Sequence, residues 1–209
     1  MSNGEVFTDI AGKYDRINAI LSLGRDDAWR RRVIDRLPPG RVLDLGAGTG
    51  AANPGLGDRA IVALDPSPEM LAHDDAPARV VGVGERLPFA DETFDAVFSA
   101  YVVRNLDSLD TTLAEVHRIL RPGGKLGIVD LGRPRNRWAA VLHRAGSGFV
   151  LPTVGRIAGA PDEYSYLHRS LDKLPAPEIL YASGPLALED VWRMGPLGFV
   201  HGVILRRER

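Results

Sequence analysis

Two rhythms of apolar and polar residues alternate along this chain. Short apolar runs occur at residues 42–45, 61–64, 79–83, 94–100 and 126–131, most closed by a glycine or a single acid. Between them, apolar residues recur at three- and four-residue steps, as in Leu109, Leu113, Val116 and Leu120. Runs this short and this apolar suit strands buried on both faces, and the intervening period suits helices packed on them, so the pattern predicts an α/β fold with a mostly parallel central sheet. Two later runs, 186–193 and 199–206, predict a hairpin pair that supplies an antiparallel edge strand, with helices on both faces of the sheet.

The punctuation between runs is specific. Asp26-Asp27-Ala28-Trp29 opens a helix with acids in its first turn and arginines further on, matching the helix dipole, and Pro38-Pro39-Gly40 stops it. Ser67 followed by Pro68 reads as a cap and first position of another helix. Pro54 and two glycines after Gly50 limit that helix to one or two turns. Arg121-Pro122-Gly123-Gly124-Lys125 reads as a turn before the strand at 126–131, and a short helix is expected near 175–182. Residues 135–172 read as mostly helical and include Trp138, His143, Tyr164, Tyr166 and His168. Near the start, Phe7, Ile10, Tyr14, Ile17 and Leu21 form one helical face, either packed on the sheet or serving as a lid over a cleft.

Composition narrows the class. The chain has 209 residues, a net charge of −1 and no cysteine. One domain is expected: an N-terminal helical lid or packing region at 1–37, a cofactor-binding core at 41–131, and substrate-side helices with C-terminal strands at 132–209. Near-neutral charge argues against a nucleic-acid partner, with Arg30-Arg31-Arg32 and Arg206-Arg207 read as solvated basic spots. Lack of cysteine removes disulfides, thiolate catalysis and cysteine-bound zinc, and fits a reducing cytoplasm. No metal site is expected. Neither a signal peptide nor a membrane-spanning run is recognisable, so a cytoplasmic protein is expected.

The chemistry concentrates where the first strand ends, in Asp44-Leu45-Gly46-Ala47-Gly48-Thr49-Gly50. A glycine-rich turn after a buried strand is how α/β folds hold a nucleotide-like ligand. Asp65 ends the second strand beside that turn, placed to accept from both hydroxyls of a ribose. The glycines loosely fit a dinucleotide fingerprint as well. Asp44, however, would repel a pyrophosphate and welcome a cation, and S-adenosylmethionine carries an ammonium and a sulfonium beside its ribose. The fourth strand delivers Tyr101-Val102-Val103-Arg104-Asn105 to the same edge.

These motifs, with Leu87-Pro88-Phe89 and Arg121-Pro122-Gly123-Gly124, follow the order found in class I S-adenosylmethionine-dependent methyltransferases, which the chain resembles. More narrowly it resembles the ubiquinone/menaquinone biosynthesis C-methyltransferases through residues 7–15, Arg104-Asn105-Leu106 and residues 164–170. The resemblance implies a Rossmann-like fold, S-adenosyl-L-methionine as cofactor, and methylation of a ring carbon of a reduced polyprenyl quinone precursor. It also implies transient membrane-surface contact for the greasy tail, and a homodimer is compatible with it. Cofactor contacts are expected from Asp44, Gly46, Gly48, Gly50, Asp65, Pro66, Gly84, Glu85 and Ala100. Arg104 is expected to stabilise a phenolate, with Asn105 and Tyr14 orienting hydroxyls; a structural ion pair is the other role open to Arg104. His168 is the candidate base, or an ordinary surface residue. The family usually has Gly-Asp-Ala-Glu where this chain has Gly82-Val83-Gly84-Glu85, so Val83 replaces the aspartate expected to meet the adenine amino group. A methyltransferase with another acceptor, and a cofactor-binding regulatory protein without turnover, are the rival readings.

Overall fold

A computed structural model of the chain describes residues 24–132, 134, 138 and 175–208. Tyr14, the apolar face at 5–23, His143, Tyr164, Tyr166 and His168 lie outside the described residues. The strands are β1 (Arg41–Leu45), β2 (Ala60–Asp65), β3 (Ala78–Val81), β4 (Phe94–Ala100), β5 (Leu120–Leu131), β6 (Ala187–Met194) and β7 (Val200–Arg206). They form one sheet in the order β3-β2-β1-β4-β5-β7-β6. β1 to β5 pair in parallel; β7 runs antiparallel to both β5 and β6, so the hairpin forms the edge with β6 outermost.

The helices are α1 (Asp26–Ile34), α2 (Asn53–Leu56), α3 (Pro68–Leu71), α4 (Leu109–Ile119) and α5 (Pro177–Leu180), with 3-10 turns at Val103–Asn105 and Pro196–Gly198. α1 carries Asp26 and Asp27 in its first turn and Arg31 and Arg32 in its last, and it buries Trp29, Val33 and Ile34. These pack in a core with Val42, Ala63, Phe98 and Ile204. On the opposite face α4 buries Leu113, Val116 and Ile119 against Leu43, Leu64, Val97 and Val203. β1 and β2 are therefore covered on both faces, which is why they read as unbroken apolar runs. Ser67 Oγ accepts from the Met70 amide at 3.2 Å and caps α3, as its position before Pro68 predicts. α2 is a single turn, opened by Pro at its start and ended by Gly57.

Three boundaries differ from the sequence pattern. The third strand ends at Val81, because Val83 turns back to bridge Arg86. Leu120 leaves the helix and opens β5. The Pro-Gly-Gly segment is not a turn before β5 but a bulge within it. Its register shifts between Phe94 and Ala96, while the Gly123 amide donates to Arg207 O at 3.0 Å and Gly124 O accepts from Arg207 N at 2.9 Å. Gly123 sits at φ +82°, which a side chain would resist, and this lets the strand absorb Pro122 without breaking.

Order in the sheet reverses between β1 and β4, so the crevice beyond their carboxyl ends is the natural ligand position in an open α/β sheet.

Candidate active site

At the tip of β1 the chain turns sharply through Gly46, Gly48 and Gly50, all at positive φ. Gly46 is sterically compelled: at φ +73°, a Cβ there would sit 2.2 Å from Val102 Cγ2. The glycine loop thus lies directly against the segment that leaves β4. Gly46 and Ala47 amides both donate to Leu64 O, at 2.8 and 3.1 Å, which ties the loop to β2.

Asp65 ends β2 and joins the loop to the following helix. Its Oδ2 accepts from Gly48 N and its Oδ1 from Ser67 N, each at 2.9 Å. Burial raises its carboxyl above the ordinary range, opposed by those two backbone hydrogen bonds, while nearby Asp74 pushes it up further. A carboxylate offers about four lone-pair positions, so both oxygens retain capacity for hydroxyl donors. Its neighbour Pro66 is exposed.

Asp44 is buried within β1, and its Oδ2 has no hydrogen-bond partner among the described residues. Burial raises its pKa to about 7; Arg30 opposes this, and Asp74 and Asp65 reinforce it. Arg30 is committed to Asp26 at 2.8 Å, and Asp26 also accepts from the Tyr101 hydroxyl at 2.5 Å. Asp74 accepts from Asn53 Nδ2 at 2.7 Å and Ala76 N at 2.6 Å, pinning α2 beside the loop. Three buried carboxyl groups around one glycine turn make a site that gains from a nearby positive charge, which would draw Asp44 and Asp65 back toward their ionised forms. It fits a ligand that brings positive charge beside a ribose, as S-adenosylmethionine does with its ammonium and sulfonium; a pyrophosphate would be repelled there.

Beyond β4 the geometry is strained. Tyr101 adopts φ +64°, a conformation that is sparsely populated for a bulky side chain and is worth of order 1–3 kcal/mol of strain. The surroundings hold it there: its amide donates to Val129 O at 2.8 Å, and its ring is buried beneath Arg30, whose guanidinium carbon lies 5.7 Å from the ring centroid. Burial, followed by the Asp26 carboxylate, pushes the Tyr101 phenol well above its usual range, so it stays neutral. This reversal lifts Val103–Asn105 over the carboxyl edge. Asn105 braces the turn, its amide donating to Val102 O at 2.8 Å and its side chain to Tyr101 O at 3.4 Å. Arg104 Nη1 pairs with Asp130 Oδ1 at 2.9 Å, so the ion pair open to it from sequence is present. A planar guanidinium with five donors can serve a second acceptor while so anchored.

The structure therefore brings Asp44, Gly46, Gly48, Gly50, Asp65, Ala100, Arg104 and Asn105 to one edge. Gly84 is buried against Thr112, where a Cβ would approach Thr112 Cγ2 to 2.9 Å. Glu85 turns its Oε1 to the amides of Asp107 and Ser108, at 2.9 and 3.2 Å, and so braces the entrance to α4. Val83 is 48% exposed and follows Gly82, whose amide donates to Asp65 O at 3.1 Å. Sequence reasoning missed Asp74, Asp26 and Asp130. Asp130 did carry a signal, an acid at the carboxyl end of an apolar strand, as in Asp44 and Asp65. Among the described residues no cluster of potential metal ligands occurs.

Relatives agree with this architecture. Residues 2–183 match the model of the ubiE/COQ5 methyltransferase family. The chain is 37% identical to the demethylmenaquinone methyltransferase of Thermus thermophilus over 85% of this chain and 88% of that one. It is 39% identical to the demethylmenaquinone methyltransferase of Corynebacterium efficiens over 84% and 80%, respectively. The ubiquinone/menaquinone biosynthesis C-methyltransferase of Rubrivivax gelatinosus is 34% identical over 81% and 72%. Among solved structures, SAM-dependent methyltransferases from Thermotoga maritima and Aquifex aeolicus share the fold, with TM-scores of 0.65 and 0.59 at 18% and 17% identity. They cover 98% and 92% of this chain, which in turn covers 99% and 97% of them. The chain belongs to the ubiE/COQ5 methyltransferase family, and S-adenosylmethionine is its cofactor.

Proposed function

We propose that the protein methylates a ring carbon of a reduced polyprenyl quinone precursor of the demethylmenaquinol or ubiquinol-precursor type. The observation that carries this reading is Arg104, held by a buried ion pair on a strained turn that abuts the glycine loop. The names of relatives at 34–39% identity supply the substrate class.

When bound, the cofactor supplies an electrophilic methyl group on its sulfonium. Asp44 would hold the ammonium of the methionyl part, Asp65 the ribose, and the apolar flank at Val83 the base, with Pro66 and Ala100 beside them; Gly84 and Glu85 support this side from behind, through Thr112 and the start of α4. An aromatic carbon is nucleophilic enough only when a neighbouring hydroxyl is ionised or nearly so. Phenols ionise near pH 10, so an aligned cation that favours the anion accounts for several powers of ten. Arg104 provides that cation without itself giving up a proton. Asn105 and Tyr14 orient the quinol oxygens. The ring proton displaced by the methyl group leaves to water or to the substrate's second oxygen. Exposed Val81, which ends β3, and Leu197, in the β6–β7 turn beside the carboxyl end of β5, support transient contact of that edge with a membrane surface while the isoprenoid tail stays in lipid. The described residues contain no helix long and apolar enough to span a membrane.

Single-turnover transfer from labelled S-adenosylmethionine to a short-tailed quinol tests the role of Arg104. Arg104→Ala is expected to slow transfer by roughly 10²–10³-fold with cofactor affinity nearly unchanged. Lysine is expected to recover only part of the rate, because a point charge does not reproduce the planar fork. Full activity in the alanine variant would leave Arg104 a structural ion pair alone.

A further inference from the structure

We propose that Asp130 is the positioning residue of this site, setting both the guanidinium of Arg104 and the backbone of the turn that carries it. The inference rests on the reading of Arg104 given above. Asp130 is the penultimate residue of β5 and is fully buried. Its Oδ1 accepts from Arg104 Nη1 at 2.9 Å and from Leu131 N at 2.7 Å, while its Oδ2 accepts from Val103 N at 3.0 Å. One carboxylate thus grips the side chain of Arg104 and the first amide of its 3-10 turn. The Leu131 amide locks the carboxylate itself to the strand.

A buried anion contributes little to stability compared with an apolar residue of the same size, and β5 around it is apolar, with Ile128 and Val129 buried. The strand has no packing need for a charge at this position. The groups that face Asp130 from neighbouring elements leave its charge to Arg104. His201, opposite it on β7, is buried, and burial holds its imidazole below the usual range. Burial keeps the Tyr181 phenol well above its ordinary range, so it too is un-ionised. Arg193, next in the row on β6, is paired with Glu178 at 3.1 Å. Electrostatic catalysis depends on where the charge sits, and a misplacement of about 1 Å is enough to lose about 10²-fold in rate. Asp130 removes that freedom twice, through the side chain and through the backbone.

Asp130→Asn keeps the shape, removes the charge and replaces one acceptor by a donor. In single-turnover transfer from labelled S-adenosylmethionine to a short-tailed naphthoquinol, the variant is expected to lose roughly 10–10²-fold. Its affinity for S-adenosylhomocysteine by calorimetry should change by less than about threefold. In an Arg104→Ala background the same substitution should cost less than about threefold more, because nothing remains to be positioned. Independently of substrate, hydrogen exchange at Val103–Asn105 should quicken while β4 amides stay protected. An equal loss in both backgrounds, a parallel loss of cofactor affinity, or unchanged exchange at Val103 would overturn the proposal. If the asparagine variant does not fold, Asp130→Glu retains the charge on a longer arm; wild-type rate and exchange in that variant would equally overturn it. Normal activity of Arg104→Ala would instead remove the reading of Arg104, so the two failures are distinguishable.

Discussion

With the cofactor's ammonium placed at Asp44 as proposed, cofactor binding should be pH-dependent in a calculable way. The Asp44 carboxyl is buried, its Oδ2 lacks a partner among the described residues, and burial lifts its pKa from 3.8 to about 7. An ammonium placed against it would return the group toward its ordinary value, so binding expels a proton from the free protein whenever the pH lies below about 7. At pH 5.5 the free protein is mostly protonated at Asp44, and the affinity should be roughly 25-fold lower than at pH 7.5. The same shift acts on stability with a defined sign. The folded pKa is raised, so the contribution of Asp44 is intact below the unfolded pKa and is lost as pH rises from about 4 to about 7. At about 1.4 kcal/mol per unit, the loss is on the order of 4 kcal/mol in the ligand-free protein. Calorimetric titration with S-adenosylhomocysteine between pH 5.5 and 7.5, in two buffers of different ionisation enthalpy, measures both affinity and proton release. Asp44→Asn should flatten the profile and weaken binding about 10–100-fold at pH 7.5. An affinity that stays constant or falls as pH rises, or an asparagine variant that keeps the slope, would refute the placement of the ammonium at Asp44.

Asp65→Ala should weaken cofactor binding by about 2 kcal/mol or more, the scale for charge-assisted bonds to two hydroxyls, and calorimetry showing unchanged affinity would exclude it from the ribose position. Val83→Asp should tighten binding by up to roughly 1–2 kcal/mol or leave it unchanged; a folded variant that binds more weakly would show that another group already meets the adenine amino group. Gly46→Ala places a Cβ 2.2 Å from Val102 Cγ2 at φ +73°, so both the melting temperature and the transfer rate should fall, and a wild-type melting temperature would contradict that close approach.

What the sequence disclosed and what it concealed divide along physical lines. Strands buried on both faces, the glycine turn after Leu45, the acid ending β2 and the Ser67-Pro68 cap are local patterns, each determined within a few residues. The antiparallel hairpin also followed from local alternation, although β7 lying inside β6 is a matter of pairing. Contacts between distant segments carried no comparable mark. Asp74 clamps Asn53 across 21 residues, Tyr101 reaches Asp26 across 75, and Asp130 holds Arg104 across 26. Asp74 in sequence is indistinguishable from an exposed acid beside Asp75. The left-handed Tyr101 was equally invisible, since nothing local favours that conformation and only the surrounding bonds impose it. Pro122 misled for the opposite reason: its local signal for a turn is strong, and pairing of Gly123 and Gly124 with Arg207 overrides it.

The proposed reaction is methyl transfer to a ring carbon of a quinol. The most direct measurement uses carbon-13 methyl-labelled S-adenosylmethionine with a short-tailed naphthoquinol under reducing conditions, and with the corresponding quinone as control, the product being assigned by nuclear magnetic resonance. Label on a ring carbon with the reduced substrate, and none with the oxidised one, is the predicted result. Label on oxygen, equal transfer to the quinone, or no transfer from a protein that binds the cofactor would contradict it.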